Sequence, residues 1–142
     1  MTNILKIYVL SFLLIILNYG CKKKNENIDF HLNSLTLKTN NVNNLPKQNL
    51  YIKVIQIQNS NQIILATTNS YPSYFTLPVK FGLEKSIEMN FYKNTYVVSL
   101  YGDSSGCLST NSINIKDYKI LYPLDMDTEN NGATIVLSGT WR

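Results

Sequence analysis

The chain has 142 residues, 44% of them hydrophobic, and carries a formal net charge of +4. That length suits one domain rather than two, and the apolar content excludes disorder throughout. The charge is not a nucleic-acid signal, because from Ile28 onward nine basic residues face eight acidic ones and the two signs are interspersed, whereas phosphate binding needs clustered cations.

Residues 1–21 hold one basic residue, Lys6, then an apolar run from Ile7 to Leu17, then Asn18, Tyr19, Gly20 and Cys21. A short basic start before a short apolar run has the two regions of a signal peptide, and the run is too brief to span a bilayer core that needs about 20 residues. The segment resembles the signal of bacterial lipoproteins, whose cleavage box ends in a small residue followed by cysteine. Gly20 and Cys21 fit that box, while Asn18 and Tyr19 depart from its strictest form. The resemblance implies cleavage after residue 20, lipidation of Cys21, and a protein anchored through that lipid to a membrane of the bacterial cell envelope. Residues 21–30 are then a polar tether. Its lysines, Lys22 to Lys24, can lie against anionic headgroups and favour a periplasm-facing position. A lipidated Cys21 leaves Cys107 as an unpaired thiol, expected to be a half-buried small side chain.

Residues 31–142 read as strands. Leu35 and Leu37 alternate with Thr36 and Lys38, and the run from Leu50 to Gln58 is rich in β-branched residues, with a turn at Asn59-Ser60-Asn61 leading into a second strand. Phe75, Leu77, Val79 and Phe81 share a side, with Pro78 in the run pointing to an edge strand or a bulge. Ile87, Met89 and Phe91 form a further alternating run. Lys93-Asn94 turns into a strand with Tyr96, Val98 and Leu100 on one face. Strands are then expected from Ser112 to Ile115, from Tyr118 to Tyr122 and from Ala133 to Trp141, the last entered through Asn130-Asn131-Gly132, a strong hairpin turn. About eight short strands with turns every 8–12 residues indicate a single all-β antiparallel sandwich.

The stretch from Leu50 to Ile120 resembles the calcium- and phospholipid-binding sandwich modules first known from protein kinase C, through Tyr51-Ile52-Lys53-Val54 and Tyr101-Gly102-Asp103 in that order. The resemblance implies a sandwich. It does not bring calcium, because Ser104 and Ser105 follow Asp103 where that family keeps further carboxylates, and calcium needs six to eight oxygens. Asp125, Asp127 and Glu129 miss the glycine and glutamate places of a calcium loop and are expected at a solvated hairpin tip. The single histidine, His31, lies beside the tether, and no serine sits in a nucleophile motif, so no catalytic site, metal site or cofactor is expected.

The tyrosines supply the candidate surface. Tyr71, Tyr74 and Phe75 cluster about Pro72, and such rings suit recognition loops. The leading expectation is a non-catalytic envelope lipoprotein whose sandwich binds another protein, as a subunit of an envelope assembly. Two alternatives are a small-ligand or glycan module that uses this loop and Trp141, and an enzyme inhibitor or immunity protein that plugs a partner's active site.

Overall fold

The computed structural model describes residues 28–40, 45–115, 122, 124–130 and 132–142. The expected signal peptide, Cys21 and most of the tether lie outside them. The described chain forms nine strands: β1 (Phe30–Asn40), β2 (Asn49–Gln58), β3 (Asn61–Thr67), β4 (Tyr71–Pro72), β5 (Val79–Met89), β6 (Thr95–Gly102), β7 (Gly106–Ile113), β8 (Asp125–Asn130) and β9 (Ala133–Trp141). They build two antiparallel sheets, one in the order β5-β1-β9-β8 and the other β3-β2-β6-β7, with β4 pairing with the start of β2. The protein is an all-β sandwich.

The core follows from period-two alternation. Leu50, Ile52 and Val54 of β2 and Tyr96, Val98 and Leu100 of β6 are buried against Leu35, Leu37, Ile135 and Leu137 of the facing sheet. In β1 the inward set changes phase, from Phe30 and Leu32 to Leu35 and Leu37, and a bulge between Leu32 and Ser34 absorbs the odd residue. A bulge of this kind keeps both apolar sets facing inward. Gly139 completes the fit, since a Cβ there would overlap the Phe30 ring, which packs at 5.2 Å on Trp141 and 5.8 Å on Phe91.

The turn between β2 and β3 has φ of 48° at Asn59 and 69° at Ser60. Two left-handed residues in a two-residue loop make the mirror-image turn that matches strand twist. Gln58 and Asn61 therefore face each other as the first pair of the hairpin.

Five local expectations are corrected. Pro78 lies before β5 rather than inside a strand, and the two runs expected around Phe81 and Ile87 belong to one strand. That strand lies at a sheet edge, and residues 83–86 bulge away from β1, because Ser34 pairs with Gly82 while Leu32 pairs with Ile87. The strand expected from Ser112 to Ile115 begins earlier, at Gly106, because the inward positions of its first half, Ser109 and Asn111, are polar and hid the alternation. Residues 125–129 are not a hairpin tip. They lie in β8, with Met126 and Thr128 inward and Asp125 and Asp127 exposed. Of the strand expected from Tyr118 to Tyr122, residues 118–121 lie outside the described residues. Tyr122 is in no strand and has a φ of 60°.

Candidate functional site

The aromatic loop divides its three rings. Tyr71 meets the buried Phe81 edge-on at 5.1 Å and Phe75 meets the same ring at 6.2 Å, so both extend the core. Tyr74 is 76% exposed. Trp141 packs with Phe30, Phe91 and Tyr122. The loop and Trp141 are therefore not assembled into one aromatic surface. His31 is half-buried in β1, opposite Glu88 and Thr140.

Asp103, the acid placed like a calcium ligand, holds two loops together. Its carboxylate accepts hydrogen bonds from the Asn49 backbone (3.2 Å), the Asn49 amide (3.1 Å) and the Ser104 hydroxyl (3.1 Å). Gln48 reinforces this junction, since its Oε1 accepts the backbone N–H groups of Ser104 and Ser105 at 3.2 and 3.0 Å. Gly102 is required there because a Cβ would overlap the Gln48 amide. Strands β2 and β6 are thereby tied at the end that carries β4 and the aromatic loop.

The outward face of the β3-β2-β6-β7 sheet is the surface that stands out. Neighbouring strands place Ile55, Ile57, Val97 and Tyr101 on it, with Gln62, Ser99 and Thr110 between them, around a depression of about 200 Å³. The small side chains Ser99 and Thr110, which share a hydrogen bond at 3.2 Å, form its low part. Beside it Tyr51 and Tyr101 stack at 5.6 Å and 12°, and the Lys53 ammonium lies 4.4 Å from the centre of the Tyr101 ring. Burial raises the Tyr101 phenol above its ordinary pKa, and Cys107 and Tyr51 add to the shift. Cys107 is exposed rather than half-buried, with its sulfur 3.3 Å from the Thr110 hydroxyl.

This face ends at β3, where Ile64 is 55% exposed, while Ile63, opposite Gln56, points to the other side of the sheet and is 42% exposed. Strands are usually defended at such an edge by charge, proline or cover. Here no charged residue occurs between Lys53 and Lys80. The interval reads in the sequence as a hairpin and an aromatic loop, and neither pattern shows that its strand is an open edge. A scan for long uncharged runs that contain β-branched residues would have marked it.

The other three edges are defended. Strand β5 carries Lys80, Glu84, Lys85 and Glu88, and β8 carries Asp125 and Asp127. Strand β7 lies under the β8–β9 hairpin, where a Cβ on Gly132 would stand 3.1 Å from Ser109 and 3.2 Å from the Leu108 carbonyl. Asn111 locks this cover. Its Nδ2 donates to the carbonyls of Thr128 and Ala133, both at 3.0 Å, and its Oδ1 accepts from the Ser109 hydroxyl at 2.8 Å.

No protein-family model, curated protein or solved structure matches this chain.

Proposed function

We propose that this protein is a non-catalytic lipoprotein of the bacterial envelope, anchored through Cys21, whose sandwich binds another protein through the outward face of the β3-β2-β6-β7 sheet. The observation that carries the binding half of this reading is the apolar depression beside an edge strand that has no charged residue. Ile55, Ile57 and Val97 are gathered where water would otherwise meet them, and Tyr101 adds a ring held in place by Tyr51 and Lys53. Apolar side chains and immobilised tyrosines are what protein interfaces favour at their centres. The anchoring half rests on the sequence of residues 1–21.

The test uses the full-length chain and its Cys21→Ala form in a bacterial host. Labelled palmitate should enter the first and not the second, and only the first should fractionate with membranes. One envelope protein should co-purify with the wild type from detergent extracts and be lost when Val97→Lys places a charge in the depression. Absence of label removes the anchoring half. A co-purified protein indifferent to Val97→Lys, or none, removes the binding half.

A second reading, a small-ligand or glycan module, draws on the same depression, because a ring beside hydroxyl and amide groups also suits a sugar. Saturable quenching of tyrosine emission by an oligosaccharide, abolished by Tyr101→Ala, would favour it.

A further inference from the structure

The four sheet edges differ in a way that points to a specific occupant for one of them. An edge strand leaves a row of N–H and C=O groups without strand partners. In a two-residue hairpin the residues flanking the turn exchange hydrogen bonds, and the pairs alternate from there. Asn61 and Ile63 therefore bond to Gln58 and Gln56, while the backbones of Gln62 and Ile64 point away from β2. Among the described residues no backbone hydrogen bond outside the strand ladders reaches Gln62 or Ile64. The far end of the same strand is different, since the bulge between Val54 and Ile55 lies opposite Leu65, and Glu84 and Lys85 lie beside Leu65, Ala66 and Thr67. The open template is thus residues 61–64.

We propose that a second copy of this chain occupies the template, with β3 of each copy paired antiparallel about a two-fold axis through Ile63. In that register Gln62 faces Ile64 of the other copy, and Ile64 faces its Gln62, so both outward-pointing backbones of each strand are used. The two Ile63 side chains meet at the axis as a close pair, with Cα atoms about 4.5 Å apart.

Charge selects the second copy. A two-fold axis sets each strand against its own sequence, so a charge on the axis, or a run of one sign around it, meets its like. Self-pairing of β8 about Met126 would oppose Asp125 and Asp127. Like charges facing each other across strands are destabilising. Strand β3 has none, and neither do the flanking residues from Val54 to Val79. Pairing would also join the two outward faces into one sheet across both copies, with the two depressions on the same side. The inference does not depend on lipidation, which concerns where the protein resides rather than how β3 pairs.

Cysteine cross-linking in the full-length protein tests both the pairing and its register. In a Cys107→Ser background, Ile63→Cys places thiols at the axis. Thr67→Cys lies on the same strand, but in the proposed register its two copies stand about 26 Å apart at about 3.3 Å per residue. Glu88→Cys samples an edge of the other sheet. The protein is treated with mild oxidant in whichever cell fraction holds it. The Ile63→Cys variant is expected to give a disulfide dimer at least about tenfold faster than Thr67→Cys or Glu88→Cys, since a disulfide needs Cβ atoms about 4 Å apart. Adding Ile64→Lys should slow the Ile63→Cys variant to the rate of the other two. The parent, with no added cysteine, checks whether residue 21 contributes a thiol. Ile63 is already substantially exposed, so Ile63→Cys leaves the core untouched. Sedimentation of the wild type against Ile64→Lys gives a reading that needs no added cysteine, with the heavier species expected in the wild type alone. Equal rates at the three positions, a faster Thr67→Cys variant, an adduct of Ile63→Cys with a different protein, or identical sedimentation would overturn the proposal.

Discussion

The two edges of the five-stranded sheet have been treated in opposite ways. Both β3 and β7 lack charged residues, so residue type alone does not separate them. Strand β7 is closed by its own chain, because the β8–β9 hairpin lies on Leu108 and Ser109 and Asn111 spends its amide on two carbonyls of that hairpin. Among the described residues strand β3 has no such cover over residues 61–64, and it exposes two isoleucines instead. An uncharged edge is safe only when something else occupies its hydrogen bonds. In this molecule one edge is satisfied within the monomer and the other is left for a neighbour.

That contrast is most sharply tested at Asn111, which is 1% exposed. Asn111→Ala strips partners from the Thr128 and Ala133 carbonyls and from the Ser109 hydroxyl, so it should cost about 3 kcal/mol in chemical denaturation, in line with about 1–3 kcal/mol for each buried group left unpaired. A loss under about 1 kcal/mol would mean that the hairpin does not seal β7.

Tyr96 offers a reference at the centre of the same sheet. Its hydroxyl accepts the Asn90 backbone N–H at 2.8 Å, and Tyr96→Phe should cost about 1 kcal/mol near neutral pH. Burial raises the phenol's pKa, Asp29 and Glu88 push it further, and the hydrogen bonds from Asn94 and Asn90 oppose the rise. A group whose folded pKa is raised lends stability below its unfolded pKa, near 10 for tyrosine, and loses it as pH climbs through the folded value. Wild-type stability should therefore fall more steeply above about pH 10 than that of Tyr96→Phe. Parallel alkaline limbs would contradict this account.

Smaller effects belong to β3. Ser60 holds a φ of 69° without being glycine, a conformation that costs a residue with a Cβ about 1 kcal/mol. Ser60→Gly should raise the unfolding free energy by about 0.5 kcal/mol, after allowance for the added freedom of the unfolded chain. The smallest change in monomer stability is expected for Ile64→Lys, within about 0.5 kcal/mol, even though it should abolish pairing. Denaturation of the monomer and cross-linking of the dimer thus separate the two edges: Asn111→Ala should move the first, and Ile64→Lys the second.

Much of the sandwich was legible because its inward positions are apolar at a strict spacing of two. Leu50, Ile52 and Val54, and Tyr96, Val98 and Leu100, declare their strands without help from the rest of the chain. The turn at Asn59-Ser60 was legible for the same local reason, since few residues accept a left-handed backbone. Strand β7 was misplaced because Ser109 and Asn111 face inward, and a polar residue can do so only when partners elsewhere satisfy it. Strand β8 was missed because three acids outnumber its buried positions, Met126 and Thr128. The candidate site was the least legible part. Tyr71 and Phe75 looked like recognition residues, yet both rings rest on Phe81, and that contact depends on how the chain folds back after β4.

The sequence by itself determined the class of fold, the strands with apolar alternation and the hairpin turns, because these depend on the choices of residues a few positions apart. Only the tertiary structure decided which edges are covered, which aromatics join the core and where uncharged surface is left open. Those outcomes depend on pairings such as Asn111 with Thr128 and Ala133, and Phe81 with Tyr71. In each, the free energy lies in satisfying or burying groups that distant segments bring together.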